Sequence, residues 1–544
     1  MNSFHNKINT ILSICLIFIS MSAWASSLVY VPLAHPVYDY LDRLAVRGFL
    51  DTPLPNTLPI SRGIVASLLV EVEKKQKAGG IKLSEIEYSH LEDFKREFTY
   101  EVGKLLATEN DRHPYLKSMR KPSYEFSIDF WLGQTLSRTQ REKNSKRAFG
   151  TWGRFVGLGE VKGNFAVYED VRSDLLYGDY FDKPYAPSQT VKHGANALSI
   201  NTINAYVLFA LPWFSLQLGR DESWWGPGKH GALLLSNNSP SLDQLKLDAS
   251  YPPFTFAFLA ASLNDVTDKY LVAHRLEVKL PFLFLSDVGN KNNISSANRA
   301  SSSLLQIGLT EGLLILGKFR ARYVNPALIY FVSEQKKTDK LQSRIISLDI
   351  EIQPIANLSL YGELMADDLQ FKRGWRNWGT KFGVLSGLYY LNPFGLPDTD
   401  LRLEYAFINQ YAYTGWGDIP QRAYSSDGYP LGHWVGADAD DLWFIIRHSF
   451  TNKLNLSLTY ELQRHGEGSI DKPHPDKAPV DDKWEFLSGI TESTYALSFG
   501  VEYRAIEKYR AKAEYTFYWR RNAGHQFSVN EDNQKLIFNV CYRF

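Results

Sequence analysis

Two adjacent tryptophans sit in the run Arg220-Asp221-Glu222-Ser223-Trp224-Trp225-Gly226-Pro227-Gly228, and Asn237 and Asn238 follow shortly after. Indole faces stack on the apolar faces of pyranose rings, and Arg220, Asp221, Asn237 and Asn238 offer the hydrogen-bonding groups that sugar hydroxyls need. The same residues suit a second role, with Trp224 and Trp225 placed in a rim girdle or wedging a loop into a barrel wall. On residue chemistry alone, both roles stay open.

The nearest approach to a catalytic pair is Glu363 with Asp367, or Asp367 with Asp368. Glu363 and Asp367 share a strand face two pleats apart, about 13 Å along the strand, which is beyond the separation that carboxylate-driven glycoside hydrolysis uses. They read as solvated charges partnered by Arg and Lys on neighbouring strands. The chain has no H-E-x-x-H, G-x-S-x-G, Cys-x-x-Cys or G-x-x-x-x-G-K-[ST] motif. His230, His433, His448, His465, His474 and His525 are scattered and read as loop or lumen residues. No catalytic group, metal site or cofactor is therefore expected.

The elements that would position these residues are mostly strands. The last ten residues alternate, with Leu536, Phe538, Val540, Tyr542 and Phe544 on one face and Lys535, Asn539, Cys541 and Arg543 on the other; only Ile537 spoils the polar side. Such a run has one lipid-compatible face and one wet face, and it reads as the closing strand of a barrel. From Tyr124 onward the pattern repeats. Leu358, Leu360, Leu364 and Ala366 oppose Glu363 and Asp367, and Leu401, Leu403, Tyr405 and Phe407 oppose Arg402 and Glu404. Leu458, Tyr460 and Leu462 oppose Glu461, Phe499 and Val501 oppose Glu502, and Ala511, Ala513 and Tyr515 oppose Lys512 and Glu514.

In a transmembrane antiparallel β-barrel these polar faces line the lumen. About 16 to 20 strands are expected, centred on 18, which is wide enough for an aqueous lumen. Longer polar segments at Gly178 to Asn196, Gly289 to Ser302, Ile419 to Asp441 and Arg464 to Gly489 are candidate extracellular loops or constrictions.

Residues 26–120 read differently. Tyr38, Leu41, Leu44, Ala45 and Phe49 recur at helical spacing, Ser61 opens a second helix that runs to about Lys77, and a third spans Ile86 to Leu106. This is a small α-helical domain on the periplasmic side of a 121–544 barrel. Ahead of it, Lys7, the apolar Ile8 to Met21 stretch and Ala23-Trp24-Ala25 form a signal peptide with cleavage expected after Ala25. The apolar stretch is shorter than a spanning helix requires, and Ile14 before Cys15 is too bulky for a lipobox.

Removing the peptide costs one charge, Lys7, and leaves 59 basic against 59 acidic residues. No basic field points to nucleic acid. Cys541 is then the only cysteine, which excludes an intrachain disulfide framework. Aromatics at 14% of the chain fit rim girdles.

The chain resembles the Wzi-type capsule assembly outer-membrane proteins. The resemblance is carried by Trp224-Trp225-Gly226-Pro227-Gly228 and Leu234-Leu235-Ser236-Asn237-Asn238. Tyr361-Gly362-Glu363-Leu364 with Asp367-Asp368, Glu404-Tyr405, Tyr429 to His433 and Gly436 to Asp440 add to it. It implies a monomeric barrel of about 18 strands, with a helical bundle at its periplasmic mouth, that retains capsular polysaccharide by lectin-like binding. Where the family follows its Asn pair with Ala-Arg-Pro, this chain has Ser239-Pro240.

The expected partners are thus surface polysaccharide, outer-membrane lipid and the barrel-assembly machinery, the last through the strand ending at Phe544. A diffusion channel or substrate-specific porin is the alternative, and an outer-membrane hydrolase a third reading.

Overall fold

In the computed structural model, residues 28–544 are described apart from 52, 80–81, 109–114, 122, 142–143, 162, 179–188, 195, 264–267, 283–302, 331–341, 369–378, 416–419, 473–483 and 506–507. The expected signal peptide with its cleavage point, His474, all of Gly289 to Ser302 and parts of the other three long polar segments lie outside the described residues.

Alternating patterns become long antiparallel strands. In chain order they are β1 Tyr124–Arg141, β2 Asn144–Val161, β3 Phe165–Gly178, β4 Ala197–Leu211, β5 Phe214–Asp221 and β6 Leu242–Tyr251. Next come β7 Phe254–Ser262, β8 Lys269–Phe282, β9 Ser303–Leu316, β10 Gln342–Ile355, β11 Leu358–Asp368 and β12 Lys381–Leu391. The last six are β13 Thr399–Ile408, β14 Ala439–Ser449, β15 Leu454–His465, β16 Glu492–Ala505, β17 Tyr509–Arg521 and β18 Asn530–Arg543.

These eighteen strands close into one barrel when β18 pairs with β1, from Asn533 opposite Arg141 to Arg543 opposite Trp131. Closure leaves no strand edge unpaired, as a wall in hydrocarbon requires. The expected faces hold: Leu536, Phe538, Val540 and Phe544 are exposed outward, while Arg543 is buried on the lumen side. Ile537 also points inward, where it lines a cavity with Asn539 and Cys541.

Ahead of the barrel lie α1 Val37–Val46, α2 Arg62–Ala78, α3 Glu85–Glu97 and α4 Thr99–Leu106. Ser61 caps α2 by accepting from the Ile64 N–H, and Ser84 with Glu87 forms a capping box on α3. Where one helix was expected from Ile86 to Leu106, the chain breaks at Phe98 (φ −101°, ψ 26°). The Thr99 hydroxyl there donates to the carbonyls of Lys95 and Arg96, which bends the path, and Phe98 drops fully buried into the core with Leu41, Leu69 and Leu91.

The four helices cap one mouth of the barrel. Arg43 bonds Asp400 and Asn392, His90 meets the Asn452 carbonyl, and Glu97 lies 3.6 Å from Arg543. Among the described residues, links at this helical end are short, as at Pro252-Pro253 and Ala356-Asn357, whereas the opposite end carries the long connections 222–241 and 409–438. One expectation is corrected by strand direction. The Gly289 to Ser302 segment joins Phe282 to Ser303, which pair at the helical end, so its attachment points lie opposite those of the other three long segments.

Candidate functional site

β5 is short, and after Asp221 the chain leaves the wall and enters the lumen. Trp224 and Trp225 pair antiparallel with Leu58 and Thr57, and the Gly226 N–H donates to the Asn56 carbonyl at 2.9 Å. The loop then doubles back, with the Trp225 N–H on the Leu235 carbonyl, and clasps a second inward segment. There the Ser236 N–H bonds the Leu431 carbonyl, and the Asn238 amide donates to Pro430. Trp225, Leu233, Leu234, Leu235, Tyr413 and Leu431 pack into one fully covered apolar core inside the barrel.

Close approach explains the glycines. A Cβ at Gly226 (φ +143°) would lie 2.9 Å from the Glu363 carboxylate. One at Gly228 would lie 1.9 Å from the Gly231 carbonyl, and one at Gly231 would lie 2.1 Å from the His433 ring.

The wall carboxylates correct the expectation of solvated charges. Glu404 accepts from the N–H groups of Lys229, His230 and Gly231 at 2.7, 3.0 and 3.2 Å and from the Tyr361 hydroxyl. Glu363 accepts from the Leu233 N–H at 2.9 Å, and Asp367 from the Tyr413 N–H at 3.1 Å. Glu363 and Glu404 are almost wholly buried. Their partners are backbone donors of the inward loop, because a loop crossing a lumen must satisfy its N–H groups there.

The N-terminal strand Thr57-Leu58 is moored in a similar way. Arg275, fully buried, forks onto Asp349 at 2.5 and 2.9 Å and donates Nε–H to the Thr57 hydroxyl; Asn56 donates to Glu351.

Beside this plug a cavity of about 760 Å³ follows the wall of β1 to β3 and β16 to β18. Trp131, Trp152, Arg154, Arg172, Lys512 and Lys535 line it, with the Arg172 guanidinium 4.2 Å from the Trp152 ring centroid.

The family model described as capsule assembly protein Wzi matches residues 140–535, most of the chain. The chain belongs to the Wzi capsule assembly family. Among solved structures, the Escherichia coli Wzi protein aligns over 95% of this chain and 99% of its own, at 14% identity and a TM-score of 0.55. That protein is described as an outer-membrane protein involved in group 1 capsule assembly and as a carbohydrate-binding β-barrel. Pseudomonas aeruginosa OccK1 aligns over 77% of this chain and 98% of its own, at 12% identity and a TM-score of 0.41. Acinetobacter baumannii OccAB1 covers 77% and 97%, at 8% identity and a TM-score of 0.41. A comparison with curated protein sequences yields no significant match.

In this Wzi-family barrel the six residues expected to hold sugar do not share one face. Trp225 is 0% exposed, so it has no ring face to offer a pyranose, and it braces the plug. Asp221 is buried and accepts from the Gln217 amide at 2.7 Å. Trp224 is half-buried and donates its indole N–H to the Gly228 carbonyl. Arg220 lies on the outer face and forks onto Asp243, whereas Asn237 is exposed at the loop end and lies against the Glu222 carboxylate. Burial, reinforced by Asp221, pushes the Glu222 carboxyl up to about 7.

The remaining expected lumen residues divide by partner. Arg402 bonds Asp42 on α1 and lies 3.6 Å over the Tyr389 ring, which ties the helical cap to the wall. Glu461 faces His230, while Glu502 pairs with Arg504 and Lys512 with Glu514. The sequence reading missed Arg275, Asp349 and Trp152. The period-two pattern of β3, with Asp170, Arg172 and Asp174 on one face, was the available signal for the cavity wall.

Proposed function

We propose that this Wzi-family outer-membrane barrel binds exported surface polysaccharide and holds it at the cell surface, with its long-loop end outward and its helical cap in the periplasm. The observation that carries the reading is the plug. The inward loop is hydrogen-bonded to Glu363, Glu404 and the Asn56-Thr57 strand at mid-barrel, so the lumen serves as a rigid support and not as an open conduit. The family's role in capsule assembly and the carbohydrate binding of the Escherichia coli Wzi protein point the same way.

Within this reading, Asn237 at the exposed loop end meets the polymer, and Trp224 and Trp225 fix the loop that carries it. Export by a signal peptide cleaved after Ala25, assembly through the strand ending at Phe544, and action as a monomer complete the proposal.

The test uses purified protein and the polymer of the same cell. Saturable binding without turnover, together with a near-silent trace in a planar bilayer, supports the reading. Large steady conductance would favour a porin, and turnover lost on changing one His or carboxylate would favour a hydrolase.

A further inference from the structure

We propose that His230, Asp441 and Glu461 form a binding site for a divalent cation of the zinc class, which staples the inward loop to the barrel wall. The three residues come from three elements. His230 is carried by the loop after Trp224-Trp225, Asp441 lies near the start of β14 on its inward face, and Glu461 faces it from β15. The backbone of His230 is fixed by the Glu404 carboxylate, and its ring lies 4.8 Å from the Trp443 ring centroid at an interplanar angle of 2°. Trp434 closes the ring edge at 5.2 Å. The imidazole is therefore locked with Nε2 aimed at the two carboxylates.

The distances fit a metal better than a proton. One donor atom from each residue lies within 4.8 Å of the others; His230 Nε2 is 3.4 Å from Glu461 Oε1 and 3.6 Å from Asp441 Oδ2. A gap of 3.6 Å is too long for a hydrogen bond, and 3.4 Å is at its limit. Two ligands each about 2.0 Å from a tetrahedral Zn²⁺ are about 3.3 Å apart, close to both gaps.

The second observation is Asp441 itself. It is 2% exposed, and its Oδ1 has no hydrogen-bond partner among the described residues. A buried carboxylate oxygen without a partner is costly, and a bound cation removes that cost. Glu461, by contrast, accepts from Gln463 at 2.6 Å, which orients it as an outer contact orients a metal-bound carboxylate. One imidazole and two carboxylates suit Zn²⁺ and similar ions, and three protein ligands leave a fourth position for water or a sugar hydroxyl.

This inference does not rest on the polysaccharide reading. The test is Zn²⁺ binding by the full chain, purified in detergent, stripped with a chelator and titrated against a chromophoric competitor. One tightly held Zn²⁺ per chain is expected. Asp441→Asn and His230→Gln should each weaken binding at least tenfold while keeping the heat-modifiable migration of a folded barrel. Equal binding by wild type and both variants would overturn the site. Should the variants fail to fold, Co²⁺ titration of the wild type decides: visible absorption saturating at one equivalent supports the site, and no saturable signal overturns it.

Discussion

Trp225 and Thr57 are antiparallel strand partners in the middle of the lumen, although 168 positions separate them, as their numbers show. The contact joins the two halves of the plug, the N-terminal segment entering from the helical end and the loop entering from the other. Arg275 fastens Thr57 to the wall, and Glu363 and Glu404 fasten the loop. The signature tryptophan is thus a keystone of the plug, and whatever the loop presents outside depends on it.

Trp225→Ala should therefore destabilise the folded barrel by about 3–5 kcal/mol, since a fully buried indole leaves a cavity among Leu233, Leu235 and Tyr413. Trp224→Ala, at a half-buried position, should cost clearly less. Urea titrations of the heat-resistant electrophoretic form measure both.

Gly231→Ala is expected to cost about 1–3 kcal/mol by overpacking, because its Cβ would lie 2.1 Å from the His433 ring and that ring is fully buried. Combining it with His433→Ala should recover part of the loss. A double-mutant cycle with no coupling would show that the two positions do not touch.

His433 also makes the plug sensitive to acid. Burial, with a smaller push from His230, lowers its imidazole to about 3 from an ordinary 6.5. Between those values the unfolded chain binds the extra proton, so stability is complete above pH 6.5 and is lost as pH falls, by about 1.4 kcal/mol per unit at most. Subtracting the His433→Gln profile from wild type should isolate that slope; parallel profiles from pH 7 to 4 would contradict it.

Asp349→Asn leaves the fully buried Arg275 guanidinium without its forked partner and should destabilise by about 3–5 kcal/mol. Since Arg275 also donates to Thr57, the Asn56-Thr57 strand should loosen with it. Limited proteolysis near residue 56 would report this, and unchanged resistance would argue that the helical cap is held independently.

Much of the barrel was legible because strand parity is a local property: the alternation in Lys535 to Phe544 assigns Phe538 to lipid and Asn539 to the lumen without any partner being known. Helix boundaries were legible where caps were, at Ser61, and failed at Phe98, where a buried ring and the Thr99 back-bonds override a helical pattern. What could not be read was partnership. Parity places Glu404 on the lumen face, but nothing near it in sequence says that it will hold the backbone of Lys229 to Gly231. Likewise Trp225 carries the chemistry of a sugar platform and of a core residue equally, and only the fold decides. His230, Asp441 and Glu461 form no spacing motif because three separate elements bring them together.

Retention of polymer is measured by the cell-bound and released fractions of surface polysaccharide in cells lacking this chain. Total polymer should be unchanged, with most of it shed into the medium, and retention should be restored by the wild-type chain and poorly by Trp225→Ala. An unchanged cell-bound fraction in the deletion strain would contradict it.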